Sequence, residues 1–77
     1  MSVKVYSTLT CPYCKMAEAF LAEHQVEFEH IDVSSNQTAA QEMIKKSGQL
    51  GVPVLDINGQ IIVGFDRPKI LKALGLK

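Results

Sequence analysis

The chain contains no tryptophan, only two cysteines and no excess charge, because eight Lys and Arg residues balance eight Asp and Glu residues. Without net charge or a basic run, the composition gives no reason to expect nucleic acid as a partner. No stretch approaches the roughly 20 apolar residues that span a bilayer, so we expect no membrane segment. The chain enters a strand pattern at Val3 without the apolar region of a secretory signal, which predicts a reducing, cytoplasmic location.

The two cysteines, Cys11 and Cys14, lie too close together to brace a small domain. A disulfide that closes so short a loop removes little entropy from the unfolded chain. The 77 residues, 47% of them hydrophobic, should therefore form one domain over residues 1–77 that is held together by its apolar core. Both cysteines are then free for chemistry.

The first half of the chain predicts a strand–helix–strand unit. Alternating and β-branched residues indicate a strand at Val3–Ser7, and residues 27–33 suggest a second one. Between them a helix runs from Pro12, which suits a first helical turn, to about Gln25. Its apolar side is made of residues spaced as helical neighbours: Tyr13, Met16, Ala17, Phe20 and Leu21. Such units favour parallel strands and a right-handed crossover.

The middle of the chain predicts a second helix and a hairpin. Residues 34–36 (Ser-Ser-Asn) supply candidate caps for a helix through about Lys46. Strands at Val52–Ile57 and Gln60–Val63 then flank Asn58-Gly59, the strongest short hairpin signal. The hairpin adds two antiparallel strands to the parallel pair.

A last helix follows, with Asp66 as its candidate cap, Pro68 in its first turn and Gly75 at its end. The residues expected to face inward are Ile70, Leu71 and Leu74. The whole order, β-α-β-α-β-β-α, predicts an α/β thioredoxin fold, a four-stranded mixed sheet with helices on both faces.

The position of the cysteines at a helix start predicts a reactive thiol. Free N–H groups and the positive end of the helix dipole stabilise a thiolate there. We expect Cys11 to be the nucleophile and Cys14, one turn further in and more buried, to be the resolving thiol. A zinc site with His24 and His30 is the alternative, but structural zinc takes well-spaced ligand pairs. We interpret both histidines as exposed polar residues and expect no metal.

Three segments of the chain resemble glutaredoxins: residues 6–14 with the dithiol motif Cys-Pro-Tyr-Cys, residues 51–53 (Gly-Val-Pro) and residues 64–66 (Gly-Phe-Asp). The resemblance covers essentially the whole chain. It implies a thiol–disulfide oxidoreductase that reduces protein disulfides and glutathione mixed disulfides through a reversible Cys11–Cys14 disulfide. Glutathione would be the reductant, and disulfide-containing proteins would be partners.

The resemblance also implies roles for single residues. Pro53 would be a cis-proline facing the cysteines, and the Val52 backbone would pair with an extended thiol such as glutathione. Phe65 and Asp66 would hold the γ-glutamyl end at a helix start. The alternatives are that Pro53 only shapes a turn and that Asp66 only caps its helix. The implied glutathione- and substrate-binding residues are Pro12, Tyr13, Val52, Pro53, Gly64, Phe65 and Asp66.

Three positions depart from the family pattern. Thr8 stands where glutaredoxins commonly carry a lysine for the glycyl carboxylate, Gly51 replaces a usual threonine, and Arg67 follows Asp66 where a second acid is common. Losing one charge-assisted contact costs about 1.5–3 kcal/mol, or roughly 10–150-fold in affinity. The sequence therefore predicts weakened glutathione binding.

These departures leave two other family roles open. Glutaredoxin-like redoxins that donate electrons to ribonucleotide reductase are recharged by thioredoxin reductase, and their Gly-Phe-Arg-Pro segment is similar to Gly64-Phe65 followed by Arg67-Pro68. Iron–sulfur cluster carriers of the family usually have a single cysteine in a Cys-Gly-Phe-Ser motif, so Pro12, Tyr13 and Cys14 argue against that role.

Overall fold

The computed structural model describes residues 2–75. The helices and strands are β1 (Val3–Ser7), α1 (Pro12–Glu23), β2 (Glu29–Asp32), α2 (Gln37–Ser47), β3 (Val54–Ile57), β4 (Gln60–Val63) and α3 (Arg67–Leu74). This confirms the order of elements expected from the sequence. Among the described residues, no helix has both the length and the apolar character needed to cross a bilayer.

The four strands form one mixed sheet in the order β2-β1-β3-β4. β1 pairs in parallel with β2, and α1 makes the crossover between them. β3 pairs antiparallel with both β1 and β4. The predicted thioredoxin fold is confirmed.

Alternation along the strands divides the core between the two faces of the sheet. Val5 of β1 packs in one cluster with residues of α1 and α3, whereas the next residue, Tyr6, packs in a second cluster with Met43 of α2. Successive side chains of a strand point to opposite faces, so α1 and α3 cover one face and α2 covers the other. Helices therefore lie on both faces, as the sequence predicts.

Local turn and cap signals act as expected. Asn58 and Gly59, both at positive φ (51° and 89°), form the two-residue turn between β3 and β4. Asn36 caps α2, because its side-chain oxygen accepts the Ala39 N–H at 3.0 Å. Neighbouring residues along the chain were therefore enough to predict both the turn and the cap.

Three boundaries differ from the predictions. α1 ends at Glu23 instead of Gln25, which turns out of the helix with a left-handed φ of 58°. β2 is shorter than residues 27–33, because it is an edge strand whose partners on β1 span only residues 4–7. β3 begins two residues later than Val52, after Pro53, which has no N–H to donate to a ladder.

The predicted buried side of α1 is partly wrong. The structure buries Cys14, Ala17 and Leu21, whereas Tyr13 and Met16 are 61% and 48% exposed. The three buried residues share one narrow arc of the helix, and a single helix–sheet contact covers only such an arc. On α3, Ile70 and Leu74 are buried as predicted, but Ala73 completes the buried side and Leu71 is only half-buried.

Candidate active site

Strand register brings three segments to one end of the sheet. Tyr6 of β1 lies opposite Val54 of β3, and Val54 lies opposite Val63 of β4. The chain that leads to Cys11 follows β1, the Pro53 segment precedes β3, and the next segment follows β4. The cysteine motif and the segments that resemble a glutathione groove therefore leave the sheet at the same end.

Cys11 occupies the N-cap of α1, with Pro12 at the first helical position. Its sulfur accepts a hydrogen bond from the Cys14 backbone N–H at 3.2 Å. Such a donor stabilises a thiolate more than a neutral thiol, and the positive end of the helix dipole acts in the same direction. The Cys11 residue is also half-exposed to solvent. Cys11 thus has the surroundings expected of a nucleophile.

Cys14 lies in a different environment from Cys11, although both are free thiols. Its side chain is only 1% exposed. Burial and the hydrogen bond to Cys11 raise the pKa of the Cys14 thiol to about 12, although a backbone hydrogen bond from Thr8 acts in the opposite direction. Cys14 is therefore protonated at neutral pH, in keeping with a thiol that reacts second.

The Val52–Pro53 segment contains a cis peptide bond, as the resemblance implies. The Pro53 carbonyl accepts the Gly64 N–H at 2.8 Å, which ties this segment to the one that precedes α3. Two of the three segments expected to bind glutathione are therefore neighbours. That Pro53 faces the cysteines, and that the Val52 backbone pairs with a ligand, stay predictions.

Phe65 and Asp66 begin the last helix. Phe65 packs edge-on against Phe20 of α1, with 5.8 Å between ring centroids. One carboxylate oxygen of Asp66 accepts the Lys69 N–H at 3.2 Å, and the other lies 3.9 Å from the Lys69 Nζ atom. The cap interpretation of Asp66 is thus confirmed, and a role in ligand binding stays a prediction.

The positions that depart from the family pattern lie beside these segments. The Thr8 carbonyl accepts the Cys11 N–H at 3.5 Å, so the uncharged residue directly adjoins the motif. The Arg67 guanidinium lies 6.0 Å from the centre of the Phe65 ring. At Thr8 the chain therefore lacks the positive charge of the family lysine. At Arg67 it carries a positive charge where a second acid is common in the family.

The two histidines have partners other than a metal. The His24 Nδ1 atom lies 2.9 Å from the Phe20 carbonyl oxygen, and its ring packs against the Phe20 ring at a tilt of 46°, with 4.4 Å between centroids. His30 of β2 contacts Ser7 and Glu18. Within residues 2–75, no three His, Cys, Asp or Glu side chains are grouped as metal ligands.

The sequence analysis missed the cluster formed by Ser7, Glu18 and His30. The His30 Nδ1 atom lies 2.5 Å from a Glu18 carboxylate oxygen and 3.1 Å from the hydroxyl of the fully buried Ser7. The one available signal was spacing, because Glu18 follows Cys14 by four residues and such side chains share a helix face. Contact with His30, from another element, carries no signal in the sequence.

Comparison with known proteins agrees with this geometry. The family model described as Glutaredoxin matches residues 3–62. The chain belongs to the glutaredoxin family. A glutaredoxin-like 8.6 kDa protein from the rubredoxin operon of Clostridium pasteurianum is 40% identical over 72 residues, which cover 94% of this chain and 96% of the relative. Glutaredoxin 3 of Escherichia coli K12 is 39% identical over 74 residues, with 96% and 89% coverage.

A solved glutaredoxin has the same fold. The glutaredoxin of Archaeoglobus fulgidus superposes with a TM-score of 0.88 at 26% identity, covering 95% of this chain and 85% of its own. Glutaredoxins are in general thiol–disulfide oxidoreductases, so the chain is a redox protein of this family. The paired thiols of Cys11 and Cys14 are the part of the structure that suits this chemistry.

Proposed function

We propose that the protein is a glutathione-dependent thiol–disulfide oxidoreductase, with Cys11 as nucleophile and Cys14 as resolving thiol. The observation that supports this is the asymmetry of the two cysteines. Cys11 is half-exposed and receives an N–H at a helix start, whereas Cys14 is buried and protonated beside it. We expect the protein to act in the cytoplasm, where glutathione keeps thiols reduced.

The reaction begins when the Cys11 thiolate attacks one sulfur of a substrate disulfide. A Cys11–substrate disulfide forms, and the second substrate sulfur leaves as a thiolate. Cys14 then loses its proton and attacks the Cys11 sulfur. The bond between Cys11 and the substrate breaks, so the substrate is reduced by two electrons and the Cys11–Cys14 disulfide holds the oxidised state.

Glutathione restores the dithiol in two further exchanges. One glutathione thiolate attacks the Cys11–Cys14 disulfide and leaves Cys14 as a thiol. A second glutathione attacks the mixed disulfide on Cys11 and leaves as oxidised glutathione. Reduction of a glutathione mixed disulfide needs only Cys11, whereas reduction of a protein disulfide uses both thiols.

Cysteine variants test this assignment of roles. Cys11→Ser should abolish reduction of every disulfide, because it removes the attacking sulfur. Cys14→Ser should still reduce glutathione mixed disulfides while losing two-thiol reduction of protein disulfides. The measurement is the rate of NADPH oxidation in a glutathione reductase-coupled assay. Equal loss of both activities in Cys14→Ser would contradict glutathione as the reductant.

Variants of the proposed groove test glutathione binding itself. In the Cys14→Ser background, the equilibrium between the Cys11 thiol and its glutathione mixed disulfide is titrated with glutathione redox buffers. Thr8→Lys adds the missing cation beside Cys11 and should strengthen mixed-disulfide formation by roughly 10–150-fold. Asp66→Asn should weaken it if the carboxylate holds the γ-glutamyl amine, while keeping a side chain that caps α3.

Two results would distinguish thioredoxin reductase from glutathione as the source of electrons. If neither Thr8→Lys nor Asp66→Asn shifts the equilibrium, glutathione does not occupy this groove. Oxidised protein should then be supplied with thioredoxin reductase and NADPH. Recovery of the dithiol under those conditions would favour the redoxin role, in which the protein donates electrons to ribonucleotide reductase.

A further inference from the structure

The resolving step poses a problem that the cysteine motif does not solve. Cys14 must lose its proton before it attacks, but its side chain is 1% exposed and the pKa of its thiol is raised to about 12, first by burial and then by Cys11. When Cys11 carries a substrate, its hydrogen bond and charge no longer oppose ionisation, but burial remains. Rapid loss of this proton therefore calls for an acceptor inside the protein.

Glu18 is placed to be that acceptor. It lies four residues after Cys14 on α1, so the two side chains are neighbours on one helix face, and helical side chains lean toward the N-terminus. The Glu18 side chain is 21% exposed, so it reaches water that Cys14 does not. The negative charge of Glu18 also raises the pKa of Cys14, although burial and Cys11 raise it more.

His30 contacts the Glu18 carboxylate from outside the helix, and the Ser7 hydroxyl in turn contacts His30. The His30 Nδ1 atom lies 2.5 Å from the Glu18 Oε2 atom and 3.1 Å from the Ser7 hydroxyl, so β1, β2 and α1 meet at this point. Ser7 directly precedes Thr8, whose carbonyl accepts the Cys11 N–H at 3.5 Å. The cluster therefore lies next to the cysteine motif.

We propose that Glu18 accepts the thiol proton of Cys14 during resolution of the mixed disulfide, and that His30 is the positioning residue that holds the Glu18 carboxylate. This inference rests on the proposed thiol–disulfide exchange. The proton moves from the Cys14 sulfur to the Glu18 carboxylate and then to water. The freed electron pair forms the Cys11–Cys14 bond, and the substrate sulfur leaves as a thiolate.

The chromogenic disulfide 5,5′-dithiobis(2-nitrobenzoate), mixed with a slight excess of reduced protein, separates the two steps. Attack by Cys11 releases a first thionitrobenzoate, and attack by Cys14 on the mixed disulfide releases a second in a phase that does not depend on reagent concentration. Glu18→Gln should slow the second phase at least about 10-fold, since a positioned base contributes roughly 10²–10⁴-fold. The first phase should stay within about twofold.

The pH profile separates proton transfer from a purely structural effect. With Glu18 as acceptor, the second-phase rate should change little between pH 6 and 8. In Glu18→Gln, hydroxide must take the proton, so the rate should rise about tenfold per pH unit. Cys14 of α1 interacts electrostatically with Glu18, and Asp32 of β2 interacts electrostatically with His30. Asp32→Asn should therefore keep the flat profile.

Further variants control for folding and for charge. Glu23→Gln, on the exposed end of the same helix, should leave both phases unchanged, and Glu18→Asp should restore part of the lost rate. His30→Asn should slow the second phase less than Glu18→Gln does. A second phase that is unchanged or faster in Glu18→Gln overturns the proposal, because loss of charge alone would ease ionisation of Cys14. Absence of the first phase in the unmodified protein would instead contradict the proposed function.

Discussion

The unequal surroundings of the two thiols predict how fast each is alkylated. At pH 7 a thiol with a pKa of about 12, as for Cys14, is a thiolate in roughly 1 molecule in 10⁵, against about 1 in 30 for an ordinary cysteine. The thiolate fraction is therefore about 3,000-fold lower. A Brønsted slope of roughly 0.4–0.5 over a pKa difference of ~3.5 units returns about 25–60-fold in nucleophilicity. Cys14 should thus react roughly 50–120-fold more slowly than an ordinary thiol, and its burial slows it further.

The assay is alkylation of the reduced protein with iodoacetamide at pH 7, quenched over time and followed by mass spectrometry. Fragment ions that divide the peptide between Cys11 and Cys14 locate the label. We expect Cys11 to be labelled first and Cys14 to be labelled slowly. The matched control is the same protein in guanidinium chloride, where both thiols should react at one common rate.

The refuting results are specific. If Cys14 is labelled before Cys11 in the folded protein, the roles of the two thiols are reversed. If Cys14 is labelled within about threefold of its rate in guanidinium chloride, neither its burial nor its raised pKa controls its reactivity.

Three further predictions concern stability, measured by urea unfolding. Leu21→Ala should cost about 2–5 kcal/mol, because the fully buried side chain fills the core between α1, α3 and the sheet. Lys46→Met should cost about 1–2 kcal/mol, because the ammonium donates to the Asp56 carboxylate at 2.7 Å and to the Tyr6 hydroxyl at 2.9 Å. Burial raises the pKa of Asp56, but the Lys46 hydrogen bond and a backbone N–H outweigh it and keep that pKa below its usual value. The stability that the ionised Asp56 carboxylate contributes should therefore be complete above pH ~4 and should be lost as the pH falls below ~4. Asp56→Asn should remove this pH dependence.

The sequence by itself determined the features that depend on neighbours along the chain. Pro12 places the cysteines at a helix start, Asn58-Gly59 requires a two-residue turn, and Asp66 caps α3 through its own first turn. Each of these signals lies within a few residues of the structure it specifies. The motif and the order of elements were therefore sufficient to predict the thioredoxin fold and the placement of both cysteines at the start of α1.

The tertiary structure alone decided which surfaces and partners these local elements meet. The length of β2 is limited by the β1 residues available to pair with it, and Tyr13 is exposed because the sheet covers only one arc of α1. Glu18 and His30 are twelve residues apart in the chain. They meet only because the parallel crossover places α1 beside β2. Periodicity records which face of an element is apolar, but contacts between polar side chains of different elements depend on how the chain packs.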